Sequence, residues 1–445
     1  MRWLLLTLVA AGAGFWLGRT SLSDLPERFR APTPHEQYAH QLEVAGLDGA
    51  ALGRLWERAA ERAVAEAPRV EAPFRETGYL DSSRPDAVGY RFSARAGQRL
   101  TFEVRLEPAT NALIFLDLFR VRDTGPDGPR AERVASADSG VLRLVHEPSR
   151  DGTYLIRVQP ELLRGGRYTL TATTEPTMAF PVEGRGPGSV QSYFGDPRDG
   201  GRRDHHGIDI FAPRGTPVVA TTRARVRSVR TTPVGGRVVW LRDEARSQSI
   251  YYAHLEEQLV ERGMWVEPGD TLGLVGNSGN ARTTPPHLHF GIYRRGVGPM
   301  DPLPFVRPLA TEAPPAFAAE PGSMRRVTEP ETRVRTGPTA SSGELDRLDR
   351  EVPVRVLGVA GDWLRIELPD GRRGWIAGRL TEPASPLRTA WMDAPAPLRE
   401  APTAESPEIA RLAPGERVDV LGRSGDHLYV RAGTRAAWLP LSAPE

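Results

Sequence analysis

Histidine is the residue type whose distribution in this sequence points to chemistry. The chain has nine histidines in 445 residues, and five of them lie between residues 201 and 290. These five are His205, His206, His254, His287 and His289. Imidazole titrates near neutral pH and is the commonest metal ligand in proteins. Because the chain has no cysteine, thiolate sites and thiol nucleophiles are excluded, and any metal must be bound by histidines and carboxylates.

Two short motifs can bring imidazoles and a carboxylate together. His205 and Asp209 are four residues apart, so on an extended strand their side chains face the same side, while His206 faces the other. His287 and His289 also share a face, with α-carbons roughly 6.6 Å apart by strand rise. That spacing favours one histidine on a metal ion and the other beside it.

A third strand-like segment, residues 251–255, contributes one more imidazole, that of His254. Two other motifs favour simpler interpretations. Ser278 lies between Asn277 and Gly279 without the Gly-x-Ser-x-Gly pattern of a nucleophile, which predicts a tight turn. Residues 196–200 have some features of a calcium loop but lack its later glutamate, so a turn is again predicted.

The histidine-rich segment resembles the M23 family of peptidases, the lysostaphin and LytM-type group. The family's His-x-x-x-Asp and His-x-His motifs are met by His205 with Asp209 and by His287 with His289. In that family the first His, the Asp and the second His of the pair bind zinc. The resemblance therefore implies one Zn²⁺ per chain on His205, Asp209 and His289. It also implies that His254 and His287 are catalytic, moving the proton and stabilising the oxyanion in an order that stays open.

Further segments also resemble this family, and the whole resemblance covers about a quarter of the chain. They are residues 212–218, 252–255, 266–270 and 273–279. One departure is the pair Pro285 and Pro286 before His287, where glycine commonly precedes the proline, and it affects the local loop shape. Three protein ligands leave one tetrahedral position open for water, which is typical of catalytic rather than structural zinc.

Length and composition predict a mainly β, multidomain chain. At 445 residues several domains are expected, and 45 glycines with 41 prolines favour short strands and turns. The predicted ranges are a signal peptide or anchor (1–20), a helical spacer or stalk (21–70), a β-sandwich (71–176), an antiparallel β LytM-type peptidase core (177–308), an exposed linker (309–325) and two small SH3-like β-barrels (326–383 and 390–445).

Periodicity supports the helical and sandwich predictions. Thr33 and Glu36 have the spacing of a capping box, which indicates a helix start. From residue 74 to about residue 176 the hydrophobic period changes to two, as at Phe102 and Val104, which predicts an antiparallel sandwich.

An internal repeat predicts the two C-terminal units. Val356-Leu357-Gly358 recurs as Val420-Leu421-Gly422, and Gly361-Asp362 recurs as Gly425-Asp426, each 64 positions later. The pattern resembles bacterial SH3-like domains, which in exported wall hydrolases often hold the enzyme on peptidoglycan. The alternative is a pair of structural modules that bind no ligand.

The N-terminus and the net charge bear on location and partners. Arg2, an apolar run over residues 3–18 and Arg19 have the layout of a cleaved secretory signal or a retained anchor. Export to the periplasm or cell envelope is expected, with residues 3–18 anchoring the chain in the inner membrane if they are retained. The net charge of +2 comes from arginines interspersed with acids, so no nucleic acid partner is implied. The sequence predicts no oligomeric state.

These observations predict a zinc-dependent metallo-endopeptidase that hydrolyses peptide bonds in the cross-links or stems of peptidoglycan through a zinc-activated water. One alternative is a catalytically inactive LytM-type regulator that binds the wall or activates another hydrolase. A second alternative is a secreted peptidase acting on glycine-rich substrates outside the wall. Inactive relatives lose zinc ligands, whereas this chain keeps the full motif set, which favours the enzyme.

Overall fold

The computed structural model describes residues 31–107, 112–122, 130–198 and 200–441. Over these residues the chain is mainly β, with several antiparallel sheets, which confirms the predicted fold class. The predicted export segment at residues 3–18 lies outside the described residues. Among the helices of the described ranges, none is long and apolar enough to cross a membrane.

Two helices open the described chain and pack on the sandwich instead of standing apart as a spacer. They are α1 (Pro34–Val44) and α2 (Ala51–Ala65). The predicted capping box is present, because Thr33 Oγ1 accepts from the Glu36 N–H and the Glu36 carboxylate accepts from the Thr33 N–H. Trp56 on α2 is buried, and its indole N–H donates to the Pro160 carbonyl at 2.8 Å. The apolar face of α2 is thus covered by the neighbouring sheet.

Two four-stranded layers form the predicted sandwich. Its strands are β1 (Phe74–Leu80), β2 (Val88–Ala94), β3 (Gln98–Glu107), β4 (Ile114–Arg122), β5 (Arg130–Ser136), β6 (Arg143–His146), β7 (Gly152–Pro160) and β8 (Gly166–Pro176). One layer has the order β1-β8-β3-β6 and the other β2-β7-β4-β5. Alternating apolar residues meet between the layers, as Phe92 and Phe102 do with ring centroids 5.3 Å apart.

The histidine-rich segment folds around a large twisted sheet. Its strands are β9 (Val190–Ser192), β10 (Pro197–Arg198), β11 (Arg203–Asp204), β12 (Ile208–Phe211), β13 (Pro217–Val219), β14 (Ala224–Thr232), β15 (Gly236–Asp243), β16 (Gln248–Leu255), β17 (Glu257–Gln258), β18 (Trp265–Val266), β19 (Thr271–Leu274), β20 (His287–Arg294) and β21 (Gly298–Met300), followed by α3 (Leu303–Val306). The order is β18-β14-β15-β16-β20-β12-β9, with β21 on β20.

One face of this sheet is buried and the other displays the histidines. Ile208, Ile210, Leu288 and Phe290 are all buried in one core with residues of the small sheet β13-β19-β17. Because side chains alternate along a strand, the intervening residues of β12 and β20 face the opposite side. The central strands therefore present a polar row above a continuous hydrophobic core.

The two C-terminal units repeat one strand order. The first contains β22 (Met324–Val327), β23 (Thr332–Arg335), β24 (Glu344–Leu348), β25 (Pro353–Ala360), β26 (Trp363–Glu367), β27 (Arg373–Ala377) and β28 (Thr381–Pro383). The second contains β29 (Arg388–Trp391), β30 (Ala396–Arg399), β31 (Glu408–Leu412), β32 (Arg417–Ser424), β33 (His427–Ala432) and β34 (Arg435–Pro440). The orders β24-β23-β27-β26-β25 and β31-β30-β34-β33-β32 correspond, so the sequence repeat is a structural repeat.

The sandwich and the first SH3-like unit share a sheet. Strand β1 pairs with β25, with Thr77 opposite Val359 and Gly78 opposite Gly358, and this pairing joins both units into eleven strands. Trp375 of the SH3-like unit is buried in the sandwich core. The sequence predicted separate ranges for the sandwich and the SH3-like unit, and those boundaries stay predictions. In the structure the two units are joined by main-chain hydrogen bonds.

A buried ion pair lies at this junction. Arg365 Nε donates to Glu76 Oε1 at 2.7 Å, and both side chains are almost fully buried. Tyr168 donates its hydroxyl to Glu76 Oε2 at 2.9 Å, and Tyr90 donates to the same oxygen. A Cβ on Gly358 would lie 2.1 Å from Glu76 Oε1, so glycine is needed for the carboxylate to fit. The junction is thus a satisfied polar cluster inside an apolar surround.

The predicted linker is held at several points, among them the Gly322 N–H, which donates to the Val356 carbonyl at 2.7 Å. Residues 309–323 precede β22 without helix or strand and are mostly exposed, as expected. Phe317 differs, because its N–H donates to the Gly361 carbonyl at 2.8 Å and its ring lies below the Arg325 guanidinium, 5.4 Å from the centroid. The connection is therefore held against the first SH3-like unit.

Replacing Arg365 with Met should lower the free energy of unfolding of the sandwich and first SH3-like unit by about 3–5 kcal/mol, because Glu76 would stay buried without its cation. Urea unfolding followed by tryptophan fluorescence measures the change. The matched control is Arg372→Met in the same unit, since Arg372 pairs with Asp346 at the surface and should change stability by under about 1 kcal/mol. Equal small losses in both variants would contradict a structural role for the buried pair.

Candidate metal centre

Three donor atoms from two motifs converge on the polar face of the large sheet. Strands β12 and β20 are neighbours, and their register sets Asp209 directly opposite His289. His205 Nε2 lies 3.1 Å from Asp209 Oδ1 and 2.9 Å from His289 Nδ1. His289 Nδ1 lies 3.0 Å from the same Asp209 oxygen. The structure therefore brings together the three residues that the sequence predicted as metal ligands.

His205 reaches this cluster from outside a strand. The four-residue spacing predicted that His205 and Asp209 lie on one extended strand. In the structure β12 begins at Ile208, and residues 205–207 are irregular. His205 is buried, and its Nδ1–H donates to the Tyr193 carbonyl at 2.8 Å, which turns Nε2 towards Asp209. His206 is exposed, as expected.

The second oxygen of Asp209 is held by an arginine. Arg198 Nη2 donates to Asp209 Oδ2 at 2.6 Å and to Ser192 Oγ at 2.6 Å. Burial would raise the pKa of Asp209, but hydrogen bonds and charge from His205 and His289 lower that pKa below its ordinary value. With Oδ2 occupied by Arg198, the carboxylate offers Oδ1 alone to the cluster.

His289 has little room to move. A Cβ on Gly207 would lie 2.6 Å from the Phe290 carbonyl oxygen and 2.7 Å from the His289 ring, so the glycine of the His-His-Gly sequence is a steric requirement. Tyr251 packs edge-on against the other side of the ring, with centroids 5.8 Å apart. Burial lowers the pKa of His289, although Asp209 acts in the opposite direction, which favours the neutral imidazole that a metal requires.

His287 lies one row along the same face. It is buried, and its Nδ1–H donates to the Pro285 carbonyl at 2.9 Å. Its ring stacks on Phe211 with centroids 5.0 Å apart. These contacts fix the ring and direct Nε2 away from the loop before β20. The predicted same-face placement of His287 and His289 on one strand is observed.

His254 reaches the site through a β-bulge. Residues 252 and 255 of β16 pair with Val239 and Arg237, so one extra residue is accommodated between them. His254 has φ of +63°, a left-handed conformation that non-glycine residues rarely adopt. The bulge shifts the alternation of the strand, because Tyr252 and Leu255 are both in the hydrophobic core. His254 is thereby turned towards His287, with ring centroids 5.1 Å apart.

The hydrogen bonding of His254 defines its tautomer. Its Nδ1–H donates to the Ser278 carbonyl at 2.9 Å, which leaves Nε2 without a proton in the neutral ring. Burial, reinforced by the nearby His287 and His289, lowers the pKa of His254 to about 4. The imidazole is therefore neutral at pH 7 and able to accept a proton at Nε2.

The three-residue cluster suits a small transition-metal ion. Two imidazole nitrogens and one carboxylate oxygen lie about 3 Å from one another, which fits ligands at about 2.0–2.2 Å from a shared zinc ion. A donor set with two nitrogens disfavours calcium and magnesium, which prefer oxygen ligands throughout. The chemistry of the donors thus fits Zn²⁺.

Sequence reasoning missed the role of Arg198. The segment around it was interpreted as a turn, and its strand β10 does form a short hairpin with β11. No spacing rule links Arg198 to Asp209, because the contact depends on how this hairpin folds back over β12. The sequence likewise offered no sign that Gly207 is required by the close approach of His289.

Comparison with known proteins agrees with this geometry. Residues 203–302 match the model of peptidase family M23, and residues 330–382 match the model of the bacterial SH3 domain. The chain therefore contains a segment that matches peptidase family M23, followed by a segment that matches the bacterial SH3 domain. The structural repeat of strands β29–β34 extends the SH3-like region to a second unit.

Curated relatives and solved structures resemble the same region. The chain is 39% identical over 140 residues to the L-Ala--D-Glu endopeptidase of Bacillus subtilis (strain 168), covering 29% of this chain and 43% of that protein. It is 34% identical over 110 residues to peptidoglycan DD-endopeptidase ShyA of Vibrio cholerae, covering 25% of each. A LytU structure is 32% identical over 28% of this chain and 88% of that chain, with a TM-score of 0.25. The catalytic domain of lysostaphin from Staphylococcus simulans is 29% identical over 26% of this chain and 89% of that chain, with a TM-score of 0.24. The chain spans less than half the length of these curated relatives.

Replacing His205 or His289 with Ala should abolish stoichiometric zinc binding, because each change removes one of three donors to the same ion. Metal content by mass spectrometry after dialysis against zinc measures the effect. His206→Ala is the matched control, since this neighbouring histidine is exposed and should leave zinc content unchanged. Retention of one zinc per chain in the His289→Ala protein would show that the ligand set is wrong.

Arg198→Ala should weaken zinc affinity by about 10- to 100-fold while leaving the fold intact, because the partner that orients the Asp209 carboxylate is lost. Competition with a chromophoric chelator gives the affinity. Arg198→Lys should lie in between, as an ammonium can still reach one carboxylate oxygen. An Arg198→Ala protein with unchanged affinity would exclude this positioning role.

Proposed function

We propose that the protein is a zinc-dependent endopeptidase that hydrolyses peptide bonds in peptidoglycan. The observation that supports this most strongly is the meeting of His205, Asp209 and His289 beside two further histidines on one sheet face. Relatives that match this region are named L-Ala--D-Glu endopeptidase and peptidoglycan DD-endopeptidase, which supports this substrate class. Metallo-endopeptidase chemistry needs a metal position and proton-transfer groups together, and this face offers residues suited to both.

The ligand geometry suggests how the site would act. Zinc held by His205 Nε2, Asp209 Oδ1 and His289 Nδ1 would supply a water of lowered pKa and polarise the scissile carbonyl. Arg198 keeps the second carboxylate oxygen occupied, so the protein contributes three donor atoms and leaves room for substrate. The Tyr193 carbonyl holds His205 in the tautomer that offers Nε2.

His254 and His287 are suited to moving protons. Each commits its Nδ1–H to a backbone carbonyl, that of Ser278 or Pro285. Each neutral ring therefore accepts a proton at Nε2 and, once protonated, can donate that proton to the leaving amine or to a developing oxyanion. The low pKa of His254 keeps it in the accepting form before the reaction.

The inactive-regulator alternative fits the site less well. A wall-binding protein without catalysis has no need for a buried carboxylate shared by two imidazoles, nor for a strained His254 at φ +63°. Backbone strain of this kind costs of order 1–3 kcal/mol and persists where the surroundings enforce it, often at functional sites. The complete cluster therefore favours the enzyme.

We also propose that the SH3-like units hold the enzyme on peptidoglycan and that the chain is exported to the cell envelope, with residues 3–18 as signal or anchor. The match of residues 330–382 to the bacterial SH3 domain, and the corresponding strand order of the second unit, support the first part. Because the first unit shares a sheet with the sandwich, wall binding there would orient the sandwich as well as tether it.

His254→Ala and His287→Ala proteins should keep one zinc per chain and lose about 10²- to 10⁴-fold in the rate of wall hydrolysis, because each lacks a proton-transfer group. The measurement is chromatography and mass spectrometry of fragments released from purified peptidoglycan, with His206→Ala as control. Chelation should stop fragment release, and added zinc should restore it. Wall digestion by zinc-free protein, or full activity in both variants, would refute the proposed chemistry.

A further inference from the structure

A cavity of about 740 Å³ lies beside His254. It opens between the turn that joins β14 to β15 and the loop that follows β19. Arg237, Asn277, Ser278 and Arg282 are among the residues that line it. Ser278 links the cavity to the proposed reaction site, because its carbonyl is the acceptor for the His254 imidazole.

The walls of this cavity are fixed by direct backbone contact. A Cβ on Gly279 would lie 2.3 Å from the Gly236 nitrogen, so the two loops approach closer than side chains allow. The Asn280 N–H donates to the Val234 carbonyl at 3.0 Å. Ser278 Oγ accepts from the Arg237 N–H at 3.0 Å and donates to the Leu255 carbonyl at 2.7 Å. The cavity is thus part of the folded structure.

The charge of the cavity is positive. Arg237 and Arg282 line it with exposed side chains, and within the described ranges neither forms an ion pair with a carboxylate. Glu256 also lines the cavity, but its carboxylate is paired with Arg214. Arg237 Nη1 donates to the Glu256 carbonyl, which holds this guanidinium at the wall of the cavity without neutralising it. Two guanidinium groups therefore line the cavity without a carboxylate partner among the described residues.

We propose that this cavity is a substrate subsite that binds a carboxylate of the peptide next to the scissile bond, through Arg237 and Arg282. The inference rests on the proposed function and narrows its substrate class. Guanidinium groups bind carboxylates with charge-assisted, often paired hydrogen bonds. The cavity adjoins the proposed reaction site through Ser278, which lines the cavity and accepts from His254, so residues beside the scissile bond are the part of the substrate that we expect to reach it.

This subsite separates the two substrate classes left open by the sequence. Glycine-rich chains have no side-chain charge, so they gain nothing from two arginines in a preformed cavity. Stem peptides of the bacterial wall bear free carboxylates, which the arginines can pair. The subsite therefore favours acidic stem peptides over glycine-rich chains as the substrate.

Binding to a protein that does not turn over tests the subsite separately from catalysis. The probes are stem peptides purified from peptidoglycan and the same peptides with their carboxylates converted to amides. Both are titrated calorimetrically into the zinc-loaded His287→Ala protein, with and without the added changes Arg237→Gln and Arg282→Gln. Arg295→Gln is the matched control, because this exposed arginine lies in the turn after β20 and outside the cavity.

The carboxylate peptides should bind about tenfold more tightly than the amides, and this ratio should fall to near one in the double variant. The amide peptides should bind both proteins equally, and Arg295→Gln should keep the tenfold ratio. An unchanged ratio in the double variant, an equal loss with Arg295→Gln, or no binding at millimolar peptide would overturn the subsite. A charge preference without wall hydrolysis by the unmodified protein would instead refute the proposed function and leave the subsite standing.

Discussion

The antiparallel register between β12 and β20 is the constraint on which the site depends. It sets Asp209 opposite His289, so that one carboxylate oxygen lies within reach of two imidazoles. If either strand slipped by one residue, its own ligand, Asp209 or His289, would turn towards the hydrophobic core, because strand side chains alternate between faces. The register is fixed by Ile208, Ile210, Leu288 and Phe290, which are all fully buried on the other face. The register that packs the core therefore also places the cluster.

Two of the imidazoles, those of His205 and His254, are positioned by irregular backbone and not by regular strands. His205 enters from a segment before β12, and His254 is turned to the site by a bulge in β16 with a left-handed backbone. Both are fixed by carbonyl groups, of Tyr193 and Ser278, which accept their Nδ1 protons. The regular strands therefore position Asp209, His287 and His289, while an irregular segment and one bulge orient His205 and His254. The Ser278 loop also forms a wall of the arginine-lined cavity, which couples the proposed substrate contact to the orientation of His254.

The residues of the cluster were predictable from the sequence, whereas contacts between distant segments were not. The resemblance to the M23 motifs implied that His205, Asp209 and His289 form the cluster, and period-two alternation predicted the sandwich. The bulge at His254 and the contact from Arg198 depend on how strands and hairpins meet in space, and no periodic pattern of residues predicts such contacts. The 64-residue repeat predicted two units but not that Glu76 and Arg365 would join the first unit to the sandwich, because pairing between β1 and β25 spans almost three hundred residues of chain.

The most direct test of the account is a crystal structure of the zinc-loaded protein with anomalous data collected at the zinc edge. The account predicts one strong anomalous peak per chain, about 2.0–2.2 Å from His205 Nε2, Asp209 Oδ1 and His289 Nδ1, with Asp209 Oδ2 still on Arg198. A peak coordinated by other residues, or a saturated protein whose three donor atoms share no common ion, would contradict it.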